Sequence, residues 1–251
     1  MQKTLNCFGV QGSIPYLNVQ MNLSDLLFVA FFIVLHVGFL RLPKSNFSRA
    51  MKLSRGVAAV ILSVVGFYGL FADLSQWQSA FIFHHDQGSI LERNLHFCML
   101  VCMGHFVADL LWLAWGNVRY GTAPRNDLII HHLLGVVAFG YALQNELAYV
   151  ACLITMVSEV MPVTTGIAAY GQRVQNMSIV RFANRWRLRL LVWWRVPLWS
   201  AMAVLSIRAL IIGGYPQDLF VPYVLSTCGF SGLLLLDRFW IKKCLAEEGN
   251  S

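Results

Sequence analysis

Asp127–Gly135 reads "DLIIHHLLG" and opens a long apolar run. A carboxylate and two adjacent imidazoles are costly in hydrocarbon, so a helix carrying them inside a bilayer turns them towards other protein. The stretch therefore points away from a lone apolar anchor and towards a bundle with a polar interior. Asp127 and His131 are four residues apart and share a helix face. A carboxylate is also favoured in a first helical turn, and the spacing predicts that Asp127 orients the His131 imidazole. His132 points about 100° away from His131. That arc suits two hydrogen-bonding or acid–base groups better than two ligands of one metal, and no metal is expected here.

The rest of the chain agrees with a membrane reading. Of 251 residues, 57% are hydrophobic and only 12% charged, about half the charge of a soluble globular chain, and the mean hydropathy is +0.60. Apolar windows near the roughly 20 residues that cross a bilayer fall at 23–42, 56–74, 95–116, 127–143, 147–170, 190–212 and 218–240. The fourth is short, and either stands nearly upright or runs on into Gln144–Glu146. No stretch remains for a soluble domain. Only helices and closed barrels satisfy their own backbone in lipid, and no alternating strand pattern is present. The expected fold is all-α and polytopic, with seven transmembrane helices. The first 22 residues are mixed and polar and lead into a run of spanning length, the pattern of a retained helix rather than a cleaved signal.

Charge sets an expected orientation. The isoelectric point of 9.3 suggests nucleic acid only until the basic residues are placed between spans. One side collects Arg41, Lys44, Arg49, Lys52, Arg55, Arg119, Arg125, Arg173, Arg181, Arg185, Arg187, Arg189, Arg238, Lys242 and Lys243; the other has Lys3 and Arg93. Such a bias marks the cytosolic side, so the N-terminus is expected luminal or extracellular and the C-terminus cytosolic. No nucleic-acid partner is expected. The links 43–55 and 171–189 are long enough for short amphipathic pieces on that side. Six cysteines lie mostly within spans as small apolar fillers; Cys244 reads as an inert thiol or a palmitoylation site. Sequons begin at Asn22, Asn46 and Asn176 and are expected to stay unmodified. The longest luminal loop, 75–94, carries "FHHDQ" at 83–87, read as exposed histidines before a metal site.

Ionisable residues within the spans are His36, Asp73, His105, Asp109, Asp127, His131, His132, Glu159, Arg195, Arg208 and Asp237. Asp73 and Asp237 lie near span ends, and His36, alone on its helix, reads as a satisfied core histidine. Depth separates the others. Along their helices, Asp109 is roughly 10 Å, His105 and Glu159 roughly 16 Å, and His131 and His132 about 6–8 Å from the cytosolic ends. Five titratable groups on three consecutive helices thus share one half of the membrane. Pro162 has no N–H for the carbonyl of Ser158, so "SEVMP" frees a backbone acceptor beside Glu159 and bends that helix. Two readings stand: an internal network that fixes helix packing, or a lipid-facing or substrate-facing site. Di-iron oxygenase and elongase histidine spacings do not occur, and the last helix is not followed by the Asn-Pro-x-x-Tyr of seven-helix receptors.

The segments "GHFVADLLWLAWG" (104–116), "NDLIIHHLLG" (126–135) and "LAYVACLITMVSEVMPV" (147–163), with "IRALI" (207–211) and "LDRFWIKKCL" (236–245), resemble the TLC-domain membrane proteins. The resemblance covers roughly 46–245, leaving 1–45 as an N-terminal segment with the first helix and 246–251 as a cytosolic tail. It is nearest to the smaller TLC-domain-containing proteins, with a Glu and a Pro in the fifth helix, and more distant from ceramide synthases. It implies a six-helix barrel around a cavity open to the cytosol, plus one N-terminal helix. The adjacent histidines that ceramide synthases use match His131 and His132. Their next His-Asp pair falls on Ser158 and Glu159, and a further Asp falls on Pro162.

The resemblance implies a protein of sphingolipid or phospholipid metabolism or of membrane-lipid homeostasis, in the endoplasmic reticulum or another endomembrane. If it is an enzyme, a ceramide-synthase-like acyl transfer is implied, with acyl-CoA as donor and no other cofactor. His131, His132, Asp127, Glu159 and Asp109 are then the candidate catalytic groups, and His105, Ser158 and Arg208 the candidate substrate contacts. One of the two histidines acts as general base, Glu159 or Asp109 stabilises the imidazolium, and Arg173 to Arg189 meet the donor phosphates. The alternative is a non-enzymatic lipid sensor or a cargo or interaction protein of the secretory pathway. Membrane lipids are the expected partners, and homo- or hetero-oligomers in the membrane remain open.

Overall fold

Nine helical elements follow from the apolar runs and their caps among the residues described in a computed structural model, 23–43, 45–72, 90–213 and 220–249. They are α1 (Leu23–Leu40), α2 (Phe47–Ala72), α3 (Ile90–Tyr120), α4 (Asn126–Asn145), α5 (Tyr149–Ser158), α6 (Met161–Arg173), α7 (Met177–Leu190), α8 (Val196–Ile212) and α9 (Phe220–Gly249). A π-helical turn, Leu191–Arg195, joins α7 to α8 without a break. No strand occurs among these residues. Six rods are long and apolar enough to cross a membrane: 47–72, 92–120, 126–145, 149–173, 177–212 and 220–246. The apolar part of α1, Leu26–Leu40, is shorter. The protein is an all-α, multi-pass membrane protein. His84, His85 and Asp86 of the 75–94 loop, and Asp73, lie outside the described residues.

Local chemistry explains where several helices start and stop. Asn46 begins α2, its Oδ1 accepting from the Arg49 N–H at 2.8 Å. Asn176 begins α7, accepting from Ser178 and Ile179 N–H at 3.0 and 3.3 Å. Each satisfies amides that a helix start leaves open. Two of the sequon asparagines are therefore caps. The α4–α5 hairpin turns on Glu146 and Ala148, both at positive φ (53° and 57°). Glu159 and Val160 interrupt the 149–173 rod, as the Pro162 backbone requires.

Two expected boundaries move. The 43–55 link is mostly helix, because the Asn46 cap starts α2 nine residues before the apolar window. Lys52 and Arg55 thereby enter the bundle instead of a loop. Likewise 177–189 is helical and continuous with the sixth span, forming a 36-residue rod. Asn176 supplies the start, and the π turn lets the amphipathic α7 run into the apolar α8.

The main core packs α1, α2, α3, α4 and α5 around Phe32, Leu62, Met99, Phe106, Phe139 and Leu153. A second core joins α5, α8 and α9 through Ala151, Trp199, Met202, Tyr223 and Phe230. The helix α1 is no detached anchor: Phe28 meets Phe97, Phe32 meets the His105 ring, and His36 stacks on Trp112. Val60, Val64, Phe67 and Phe71 of α2 and Leu133 and Val137 of α4 face outwards, as a lipid-facing surface would. At one crossing α2 and α6 meet backbone to backbone. A Cβ placed on Gly56 would lie 2.9 Å from the Cα of Gly166, and one on Gly166 equally close to Gly56. Glycine at both positions permits this approach.

Candidate functional site

Two buried acids, one on each side of the histidine pair, organise the interior. Asp109 of α3 is wholly buried. Arg55 of α2 donates to it bidentately, Nε to Oδ1 at 2.7 Å and Nη2 to Oδ2 at 2.6 Å. The His132 Nε2 is 2.7 Å from the same Oδ2, and the His36 Nε2 is 3.6 Å from Oδ1. His36 is held in place by Ser54 through its Nδ1 and by the face of Trp112. This reach across α1, α2, α3 and α4 makes Asp109 a hub of four helices.

Glu159 is the second acid, 3% exposed at the α5–α6 break. Its Oε1 is 3.2 Å from His131 Nε2 and 3.7 Å from Arg195 Nη1. Arg195, fully buried on the π turn, donates through Nε to both Asp237 oxygens at 3.1 and 3.2 Å. Its Nη1 donates to the Ser158 carbonyl at 3.3 Å. That carbonyl is the acceptor which Pro162 leaves without a helical partner. The guanidinium carbon also lies 5.5 and 5.4 Å from the ring centres of Trp199 and Trp240. A delocalised, weakly hydrated cation suits such an aromatic setting better than an ammonium.

The two halves touch through the histidines, whose rings are 5.1 Å apart. Gly135 is part of the reason. It sits one turn beyond the pair, and a Cβ there would be 2.4 Å from the Phe106 ring. Its absence lets Phe106 lie against both His131 and His132. Three carboxylates (Asp109, Glu159, Asp237) face two guanidiniums (Arg55, Arg195) in this interior. One proton on an imidazole of the cluster would bring the sum to zero.

His131 also opens on an apolar cleft of about 90 Å³ between α4, α5 and α9, lined by Phe106, Leu134, Cys152, Phe230 and Leu233 among others. Its Nδ1 is buried without a hydrogen-bond partner. One nitrogen of this ring therefore faces an acid while the residue itself borders hydrocarbon. An acid–base group at the edge of an apolar cleft can act on the polar end of an amphipathic molecule.

The structure brings together His131, His132, Asp109 and Glu159, with Ser158 contributing its carbonyl while its hydroxyl donates to the Thr155 carbonyl. His105 is at the margin. It meets the edge of the His132 ring at 5.8 Å, although it shares a helix face with Asp109. Two expectations fail. Asp127 does not orient His131: it accepts from Arg125 Nε and Nη2 at 2.9 and 2.7 Å and from the Trp240 indole at 3.0 Å. In the first helical turn a neighbouring guanidinium outcompetes an imidazole one turn on, and Glu159 takes the place beside His131. Arg208 is exposed, 13 residues along from Arg195 and so about 20 Å away. Its side chain stands away from the cluster.

Arg55, Arg195, Asp237 and Trp240 were absent from the sequence-based site. Arg195 and Asp237 had a readable signal, being opposite charges inside the sixth and seventh spans and close to the same membrane face. Asp237 is not a span-end residue needing little explanation but a wholly buried ion-pair partner. Cys244 is buried against Leu191 and Trp240, which fits the inert-thiol reading. Among the described residues no three of His, Cys, Asp and Glu are arranged to hold a metal ion. Comparison with known proteins finds no matching family model, no similar curated protein and no similar solved structure.

Proposed function

We propose that this membrane protein acts in sphingolipid or phospholipid metabolism or in membrane-lipid homeostasis, through a TLC-type bundle. The reading rests on one observation: His131 borders both a buried carboxylate and an apolar cleft between helices. A lipid could lay its chain along Leu134, Phe139 and Phe230 and bring its polar end to the imidazole. In a ceramide-synthase-like transfer, His131 takes the proton from an amine or hydroxyl as that group attacks a thioester carbonyl. The imidazolium so formed faces Glu159, and the thiolate leaves and takes up the proton. His132, held by Asp109, fixes the second imidazole beside it. The basic end is the cytosolic side in this proposal, and an endomembrane such as the endoplasmic reticulum is the location.

A second reading has its own support. Arg55–Asp109, partly buried, and Arg195–Asp237, fully buried, are close pairs between helices distant in sequence, as in a network whose role is to hold the bundle. The protein is then a non-enzymatic lipid sensor or a secretory-pathway interaction protein. One experiment separates the two: the lipid profile of cells lacking the protein and supplied with the His131→Ala, His132→Ala double variant. Catalysis predicts that the variant leaves the deficient profile unchanged although the protein accumulates. Full rescue rules out the chemistry and leaves sensing or packing.

A further inference from the structure

The outer face of α7 answers no packing need of the bundle. Val180 and Ala183 bury its inner side, and Arg187 turns into a recess between α2, α6 and α7 and has a partner inside the protein. The opposite side carries two adjoining stripes. Arg181, Arg185 and Arg189 follow one another at four-residue steps, with Phe182 and Trp186 beside them at the same step, so each set shares a helix edge. All five are exposed, Phe182 to 54% and Trp186 to 42%. The Arg189 guanidinium lies over the Trp186 ring, 5.3 Å from its centre. That contact orders the cation and leaves its N–H groups for another partner.

No acid balances these arginines. The sequence has neither Asp nor Glu between Glu159 and Asp218, and Arg181, Arg185 and Arg189 form no ion pair among the described residues. Like charges one turn apart on a helix repel, whereas an ordinary solvated surface mixes both signs. All five basic residues from 173 to 189 are arginine and none is lysine. The positive-inside bias counts the two alike, but the planar guanidinium fork is the one that grips phosphate oxygens.

Depth places this face at the membrane surface. His131, Glu159 and Arg195 lie level, 3.2 and 3.7 Å apart in turn, and His131 stands one turn inside the start of its span. The same rise of about 6 Å from Arg195 along the continuous rod ends near residue 191, where the apolar run also begins. The exposed Trp193 and Trp194 sit just inside that level, as an aromatic belt does. Arg189, Trp186 and Arg185 then stand roughly 3–9 Å outside it, in a headgroup layer about 5–8 Å deep or at its edge. Arg181 and Phe182 are one turn further out.

We propose that the outer face of α7 is a docking strip for anionic phospholipid headgroups of the leaflet on the basic side. Arg185 and Arg189 hold phosphate oxygens, and Trp186 lies among the headgroups. The assignment goes beyond the lipid reading and does not depend on it, because the strip is on the outside of the bundle and its lipid is no substrate of His131.

The test uses the full chain in nanodiscs of phosphatidylcholine with a minority of phosphatidylglycerol. Photoreactive benzoylphenylalanine replaces Trp186, an aromatic for an aromatic, and the photoadducts are identified by mass spectrometry. The ratio of phosphatidylglycerol to phosphatidylcholine adducts should exceed the ratio in the bilayer about fivefold. Arg185→Gln with Arg189→Gln should return it to the bilayer ratio. Arg41→Gln with Arg119→Gln removes the same charge from exposed positions at the ends of α1 and α3 and should leave it unchanged. Sodium pyrophosphate, against sodium chloride at equal ionic strength, should not lower the ratio. The proposal is overturned by an adduct to water or to a second copy of the chain in place of lipid, or by enrichment that survives in the Arg185, Arg189 variant. Equal loss in the Arg41, Arg119 variant overturns it as general charge, and competition by pyrophosphate overturns it as a site for soluble phosphate. If the Arg185, Arg189 variant does not fold, salt decides: about 1 M sodium chloride screens exposed charges and must abolish the enrichment at position 186.

Discussion

At the scale of single residues, the interior is governed by which charges can reach another partner when one is removed. Arg55 keeps 12% of its side chain exposed, and its partner Asp109 also has His132 and His36 nearby. If Arg55 is lost, a proton on either imidazole can still balance Asp109. Arg195 is different. Asp237 is fully buried and, among the described residues, pairs with Arg195; Glu159 leans on the same guanidinium. Breaking a buried pair by deleting one partner costs about 3–5 kcal/mol, whereas losing a hydrogen bond to a charged group that keeps other partners costs about 1.5–3 kcal/mol. Arg195→Leu should therefore lower the thermal unfolding midpoint of the detergent-purified protein clearly more than Arg55→Leu. Equal losses from the two substitutions would mean that Arg195 is not the counter-ion this geometry makes it.

At the scale of helices, Pro162 decides where Glu159 stands. It sits in the first turn of α6, where its missing N–H is tolerated, and it hands the Ser158 carbonyl to Arg195. Pro162→Ala restores an N–H able to take that carbonyl, straightens the rod and draws Glu159 from His131. Its expected signature is a midpoint no lower than wild type together with a lipid phenotype as deficient as that of His131→Ala. A lowered midpoint with an intact phenotype would sink this account. The Gly56–Gly166 crossing should behave in the opposite way. Gly166→Val puts side-chain atoms where a Cβ alone is 2.9 Å from Gly56, and overpacking of that kind costs about 1–3 kcal/mol. The midpoint should fall, and the Gly56→Ala, Gly166→Ala double variant should fall further than either single change.

The same scale shows what the sequence could and could not reveal. Long apolar runs are local, so the helices were legible, as were the inward turn of His131 and His132 and the break at Glu159. Depth along each helix was equally local, and it placed Asp109 and Glu159 in the same half of the membrane as the histidines. Partner choice was not local. Arg55 finds Asp109 across 54 residues and Arg195 finds Asp237 across 42, contacts that no spacing rule encodes. Asp127 shows the hazard of using spacing alone: sharing a face with His131 makes contact possible, but Arg125 and Trp240 made the better bonds.

For the whole molecule, the charge bias predicts that the basic side is cytosolic, and this too can be measured. Fifteen of the 19 Lys and Arg residues fall after odd-numbered spans. In the folded chain, Lys52, Arg55, Arg125, Arg187 and Lys243, drawn from four separate segments, meet at one recess. A bundle threaded the other way would place this recess and its charge on the luminal face, against the bias that fixes orientation during insertion. A glycosylation tag appended to the N-terminus should therefore be modified in cells, and the same tag at the C-terminus should not. Asn46 and Asn176 adjoin the basic segments and should stay unmodified as well, their side chains already capping α2 and α7. Modification of the C-terminal tag, or of Asn176, would reverse the topology. It would also place the opening beside Arg55 and Lys243 on the luminal side, away from the cytosol. The lipid reading would then have to be rebuilt on a luminal ligand.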